Sequence, residues 1–294
     1  LVVRAAVAGL DGRVLNRVGN KERRVMRKMM IVGVVLGLLV AGSAMGTTVW
    51  NPFANGHGPA PAVAPFGDAL NWTAGTPGAP DNKAVFNVAN AADAEVSAYY
   101  TGFQIVQGDG GDGGVLRVKS GGTLDTRADT WSAVGYNNTA HAIVEAGGTY
   151  NFGQHAWIGL NDGAVGTLDI YGTVTVGQML GLGWAQATSQ GFVNIYDGGL
   201  LALSNIHGDG SSSIKHGSVL DISGTGQLTL PGDFTGVLNT YIGNGLITGN
   251  GLAGNVAVDL TTNPGFTTAT AIPEPSTLAL LALAGLGLVV RRKR

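Results

Sequence analysis

From residue 113 onward apolar and polar positions alternate in short runs, and the runs recur. "GGVLRVKSGGTLDT" (113–126), "HAIVEAGGTYNF" (141–152), "GTLDIYGTVTV" (166–176), "GFVNIYDGGLLAL" (191–203) and "GSVLDISGTGQLTL" (217–230) share one form. An alternating strand enters, a Gly-rich turn of one to three residues follows, and a second alternating strand leaves. Aligning Thr123, Thr149, Thr173, Leu200 and Gln227 gives steps of 26, 24, 27 and 27 residues. A second mark, Gly135, Gly159, Gly183 and Gly208, falls in phase with the first at steps of 24, 24 and 25.

Each unit holds two or three strands of period two and no stretch with the apolar spacing of an amphipathic helix, which excludes the helical solenoids. A propeller blade needs about 40 residues or more. A period of about 25 residues instead suits one rung of a parallel β-solenoid, whose turns of chain hydrogen-bond to the turns above and below. The expected fold is therefore all-β, a parallel β-helix. Strand alternation predicts Leu116, Val118, Leu124, Ile143, Leu168, Ile170, Val174, Val193, Ile195, Leu201, Leu203, Leu220 and Ile222 inside. Arg117, Lys119, Asp125, Glu145, Asp169, Asn194 and Asp221 are predicted to face water.

The flanks divide the rest of the chain. Residues 47–112 are expected to form an N-terminal cap and the first strands, and the cap candidate is the Pro- and aromatic-rich segment 50–88. The repeats occupy 113–230. Residues 231–271 lose the rhythm and are read as a degenerate rung, followed by "TTNPGFTTATA" (261–271) as a flexible linker. The segment "NW…G.PGAPDNKAVF" resembles the opening of secreted, autotransporter-like repeat proteins.

Composition adds two points. Glycine is in excess, 49 of 294 residues, but without a Gly-X-Y period and with only 10 prolines, so it acts as turn punctuation. There is no cysteine, hence no disulfide framework and no thiolate site. The formal net charge of −2 hides an asymmetry: between Thr47 and Ala271 five Lys/Arg stand against sixteen Asp/Glu, a net charge of −11. An acidic surface repels phosphate backbones, so no nucleic-acid partner is expected.

The cations sit at the ends. Arg23, Arg24, Arg27 and Lys28 precede an apolar run from Met29 to Ala41, and small residues follow at Ala44 and Gly46. This is the order of a secretory signal peptide over residues 26–46, with cleavage expected after Gly46 or Ala44. Residues 1–25 read as an over-extended gene prediction, with translation expected to start at Met26 or Met29. At the other end, Ile272-Pro273-Glu274-Pro275-Ser276-Thr277 is followed by an apolar segment and then by Arg291, Arg292, Lys293 and Arg294. The run from Ser276 to Val290 is about 22 Å long as a helix. The basic end is expected to stay cytoplasmic.

These three elements in order resemble the PEP-CTERM sorting signal over residues 272–294. The resemblance implies recognition of Pro273, Glu274, Pro275, Arg291, Arg292, Lys293 and Arg294 by an exosortase, a membrane transpeptidase-like enzyme of Gram-negative bacteria that make extracellular polysaccharide. It implies export through the secretion translocon, transient inner-membrane anchoring by the C-terminal helix, and cleavage near Pro273–Pro275. The chain would then reach the cell envelope, outer surface or extracellular matrix. An ordinary single-pass tail anchor is the alternative.

The repeats are read as a structural or adhesive solenoid with no catalytic site, possible contact with extracellular polysaccharide being its binding role. The alternatives are a polysaccharide lyase or hydrolase, or a non-catalytic carbohydrate-binding protein. An enzyme would cluster carboxylates on one groove; Asp125, Asp129, Arg127 and Lys119 are the nearest approach in sequence, and neighbouring rungs do not repeat them. "GDGGDGG" (108–114) resembles a Ca²⁺-binding turn, but calcium-binding β-rolls repeat that element many times, so no cofactor is expected and calcium is the alternative. His141, His155, His207 and His216 lack zinc-ligand spacing and read as turn or surface residues. Trp131, Trp157 and Trp184 lie near the second mark, as corner packing or as a surface for stacking on sugars.

Overall fold

The computed structural model describes residues 47–51, 63–73, 76–77, 83–87, 93–215 and 217–273. Ala44, Gly46, Glu274, Pro275, Arg291, Arg292, Lys293, Arg294 and His216 lie outside the described residues. The repeats form a parallel β-solenoid of about seven turns with rungs of about 26 residues.

Strands β1 (Thr47–Val49), β2 (Val63–Pro65), β3 (Lys83–Phe86), β4 (Asp93–Val96) and the long β5 (Tyr99–Gln107) open the stack. The next rungs are β6 (Val115–Val118), β7 (Thr123–Thr126) and β8 (Ser132–Val134), then β9 (Ala140–Val144), β10 (Thr149–Phe152) and β11 (Ala156–Ile158). They are followed by β12 (Val165–Ile170) with β13 (Thr173–Leu182), β14 (Gln190–Ile195) with β15 (Leu200–Asn205), and β16 (Val219–Ile222) with β17 (Gln227–Pro231). Helix α1 (Thr235–Gly243) and β18 (Ile247–Gly249), β19 (Leu252–Ala253), β20 (Val256–Asp259) and β21 (Phe266–Ala271) complete the described chain.

Three faces result. The first stacks β2, β4, β6, β9, β12, β14, β16 and β18 in parallel. The second stacks β5, β7, β10, β13, β15 and β17. The third is built from β1, β3, β8, β11 and the C-terminal halves of β5 and β13, which turn the corner without a break. Thr123, Thr149, Thr173, Leu200 and Gln227 are vertical neighbours, as their alignment predicts, and Tyr99 extends the row upstream.

The core runs as columns between the faces. Leu116, Ala142, Leu168, Val193, Leu220 and Ile247 form one, and Val118, Val144, Ile170, Ile195 and Ile222 the next, all buried. Each large apolar side chain so placed contributes about 1.5–3 kcal/mol of burial free energy. At the first turns the rings of Trp50, Phe66, Trp72 and Phe86 pack with centroids 5.0–6.5 Å apart. The Trp72 indole N–H donates to the Phe66 carbonyl at 2.7 Å, so the buried indole is satisfied.

Three expectations change. Ile143 points outward, beside Arg117 and Asp169 of the adjoining strands, and Ala142 and Val144 fill the core. The pleat decides this: Val144 is vertical neighbour to Val118, so Ile143 must share the face of Arg117. Gly208 is not the fourth glycine of the second mark. Leu182 bridges Ile214, which places Lys215 after it, and Ile206–Ser213 is an excursion from the rung. The column is completed upstream by Gly108, one residue after the Gln107–Val134 pair, and Gly108, Gly135, Gly159 and Gly183 all have positive φ. A Cβ on Gly159 would lie 1.8 Å from the Gln190 carbonyl oxygen, which accounts for glycine at this corner.

The third change is at the end. "TTNPGFTTATA", expected as a linker, contains β21, which pairs antiparallel with both β17 and β20. Its polar residues are buried with their bonds made: the Thr267 hydroxyl donates to the Gly232 carbonyl at 2.7 Å and accepts from the Phe234 N–H at 2.7 Å. A threonine-rich segment can therefore close the core.

Candidate functional site

The third face carries the rings. Ala133, Trp157 and Gly181 are in register on successive rungs, at the outward position of each strand. Trp157 is flanked vertically by small residues, and its ring occupies the space over Gly181. Trp184 follows the corner glycine Gly183 and meets Trp157 at 4.7 Å between ring centroids. His155 lies 5.3 Å from Trp157, and His207 stacks on Trp184 at 5.7 Å with planes 14° apart. The Lys215 ammonium stands 3.8 Å from the Trp184 ring centroid, a cation–π contact. All five side chains are half-buried.

The excursion Ile206–Ser213 brings His207 to this line. Tyr241 of α1 holds it, its hydroxyl donating to the His207 carbonyl at 3.1 Å and accepting from the Ser213 N–H at 3.0 Å. His207 Nε2 and His155 Nδ1 are buried without a hydrogen-bond partner, and burial lowers the His155 pKa, keeping that imidazole neutral. Trp131 belongs elsewhere: it stacks on Tyr136 at 5.4 Å. Sequence spacing does not separate it from the other two, since Trp131, Trp157 and Trp184 stand at three different offsets from their corner glycines. The role of Lys215 and the excursion had no mark in the repeat pattern.

The first face is a ladder of charges. Arg117 reaches Asp93 at 3.4 Å and Glu145 at 3.6 Å, and Lys119 reaches Glu145 at 2.8 Å and Glu95 at 3.5 Å. Further along, Asp169, Asn194 and Asp221 share one row. Asp169 meets His141 Nε2 at 2.7 Å and accepts from Asn194 at 2.7 Å. Burial works to raise its carboxyl, but the bonds from His141 and Asn194 outweigh it and hold it below the usual range. Asp221 accepts from Thr248 at 2.6 Å, Ser223 at 2.8 Å and the Gly251 N–H at 2.8 Å. A general acid for glycoside cleavage must stay protonated near neutral pH, and Asp169 is held the other way. Beside the row Tyr171 and Tyr196 stack at 4.3 Å, and burial followed by the Asp169 charge pushes the Tyr196 phenol up to about 12.

The carboxylates singled out in sequence do not converge. Arg127 pairs with Asp129, Asp125 accepts from Tyr99, and Lys119 lies on a different face among glutamates. In "GDGGDGG", Asp109 pairs with Lys83 at 2.9 Å and accepts from Asn137 at 3.3 Å. Among the described residues no three His, Asp or Glu side chains are grouped to hold a metal ion.

Ile272, next after β21, is held at both of its backbone groups. The Ile272 N–H donates to the Asn255 carbonyl at 2.9 Å, and the Ile272 carbonyl accepts from Asn255 Nδ2 at 3.2 Å and Asn250 Nδ2 at 3.4 Å. Asn250 and Gly251 form the two-residue turn between β18 and β19, both with positive φ. Pro273, exposed, follows at once. Residues 271–294 match the family model of the PEP-CTERM protein-sorting motif. The chain carries a PEP-CTERM sorting signal. The PEP-CTERM motif is recognised by exosortase, a membrane processing enzyme, and implies export and sorting to the cell-envelope surface. No curated protein and no solved structure matches the chain.

Proposed function

We propose that the solenoid is a non-catalytic structural and adhesive component of the cell envelope or extracellular matrix, delivered there by its sorting signal after export through the secretion translocon. The supporting observation is the charge ladder of the first face, where Arg117 and Lys119 bridge carboxylates on the rungs above and below. Partners recruited between turns stiffen the stack and leave those groups occupied. The parallel hydrogen bonds between rungs act in the same sense.

The test is direct. The purified chain is incubated with neutral and acidic polysaccharides, and chain length is followed by reducing ends and by absorbance of unsaturated uronates. No change in either is expected, while envelope fractions retain the protein. Depolymerisation of any of these substrates overturns the reading in favour of an enzyme.

A further inference from the structure

Between Thr47 and Ala271 the chain has five cations in a segment of net charge −11. Lys83, Arg117, Lys119 and Arg127 each meet a carboxylate. Lys215 makes no ion pair among the described residues; its ammonium stands over Trp184. Among the described residues of this acidic segment Lys215 is thus the cation without a carboxylate, and it stands against Trp184 within the ring line His155–Trp157–Trp184–His207.

Two kinds of chemistry meet there. Indole faces offer apolar, polarisable area to the C–H faces of sugar rings, and an ammonium offers a charge-assisted bond to a carboxylate. The ring line crosses successive rungs, which are spaced by about 4.8 Å, so it suits an extended polymer of rings better than one small molecule. Nucleic acid binding rests on several cations that neutralise phosphates together, and on a segment of net charge −11 no polyanion binds through charge alone; here the indoles supply the contact area and Lys215 a single charge-assisted bond. From this juxtaposition we propose that the strip formed by Trp157, Trp184, His207 and Lys215 binds an acidic polysaccharide, with sugar rings against the indoles and a uronate carboxylate on Lys215. Two indoles one rung apart supply the stacking surface, and Lys215 selects for charge. The proposal rests on the adhesive reading above and names its ligand class.

The experiment uses the full purified chain, with polygalacturonate oligomers and their carboxyl-reduced neutral counterparts as probes, followed by calorimetry and affinity electrophoresis. The acidic oligomers are expected to bind and the neutral ones to bind about tenfold more weakly. Lys215→Gln should remove that preference, and Lys215→Arg should restore it in large part. Trp184→Leu should weaken binding of both probes about tenfold or more. Circular dichroism and the thermal midpoint establish that each variant is folded, and Lys215→Gln, at a half-buried surface position, keeps the test valid if Trp184→Leu fails to fold.

Equal binding of neutral and acidic oligomers overturns the charge selection. Binding that survives both Lys215→Gln and Trp184→Leu moves the site elsewhere and leaves the adhesive reading standing. Failure to bind either probe overturns the strip as a polyuronate site; if the protein is also not retained by envelope fractions, the adhesive reading falls with it.

Discussion

Gly181 is in register with Trp157, and a Cβ placed on it would come within 2.4 and 2.5 Å of two atoms of the indole ring. It would also lie 3.0 Å from Trp184. The glycine is therefore what allows the two indoles to share one patch of surface. Gly181→Ala should displace Trp157 and separate the pair, at a cost of about 1–3 kcal/mol. Near-ultraviolet circular dichroism should lose its indole coupling, and denaturation should give the stability change. An unaltered spectrum would mean that the rings are not seated as described.

The Tyr150 hydroxyl is buried in the core with no hydrogen-bond partner, and burial alone drives its phenol far above the usual range. Its ring already stacks on Phe152 at 4.0 Å. Removing only the oxygen relieves an uncompensated desolvation, so Tyr150→Phe should stabilise the protein by about 1–3 kcal/mol. Urea unfolding of the two proteins compares them, and a destabilised variant would point to an unseen partner for the hydroxyl.

Asp259 accepts from the N–H groups of Thr262 and Thr261, each at 2.7 Å, and from both hydroxyls, which together lower its carboxyl to about 2. Asp209 is lowered to about 2 by the Ser212 hydroxyl and by the N–H groups of Ser211 and Ser212. A carboxyl with a depressed folded pKa contributes stability above its unfolded value, near about 3.9, and loses that contribution as pH falls through the folded value. The unfolding midpoint should therefore fall between about pH 4 and pH 2. Asp259→Asn should start lower at neutral pH and fall less across that window, as followed by denaturation at a series of pH values.

Asn250 and Asn255 fix the carbonyl of Ile272, the last residue before Pro273. Ile272 is thus held at both its N–H and its carbonyl, and Pro273 beside it is exposed. In a host with its processing enzyme, mass spectrometry of the mature protein should place the new C-terminus after Ile272. The double variant Asn250→Ala, Asn255→Ala should give heterogeneous ends extending into β21. A uniform terminus in the double variant would show that the enzyme alone sets the boundary.

The rung was legible because two kinds of mark were in phase, the first threonine or its equivalent and the corner glycine. Their register in space follows from hydrogen bonding between turns of equal path length. Ile143 was misplaced because its side chain is apolar, although alignment on Thr123 and Thr149 had already put Val144 beneath Val118. Position along the pleat outranks residue type, and a half-buried isoleucine between charged neighbours is tolerated on the outer face. Gly208 failed for a different reason: it keeps the spacing in sequence but lies in the excursion Ile206–Ser213, which leaves the rung in space. The ring line was half legible. Three tryptophans near one mark suggested a surface, but Lys215 arrives there through the excursion, and no periodicity foretells an excursion.

The antiparallel closure by β20 and β21 has a consequence for growth. A parallel stack can lengthen by adding another copy only if the exposed edge has the polarity of the incoming strand. On the first face the edge strand β19 runs opposite to β18, whereas on the second face β21 is itself covered by β20, which runs again in the sense of β17. A second copy arriving at this end therefore meets reversed polarity on one face and the stack's own polarity on the other, and cannot continue both faces in parallel register.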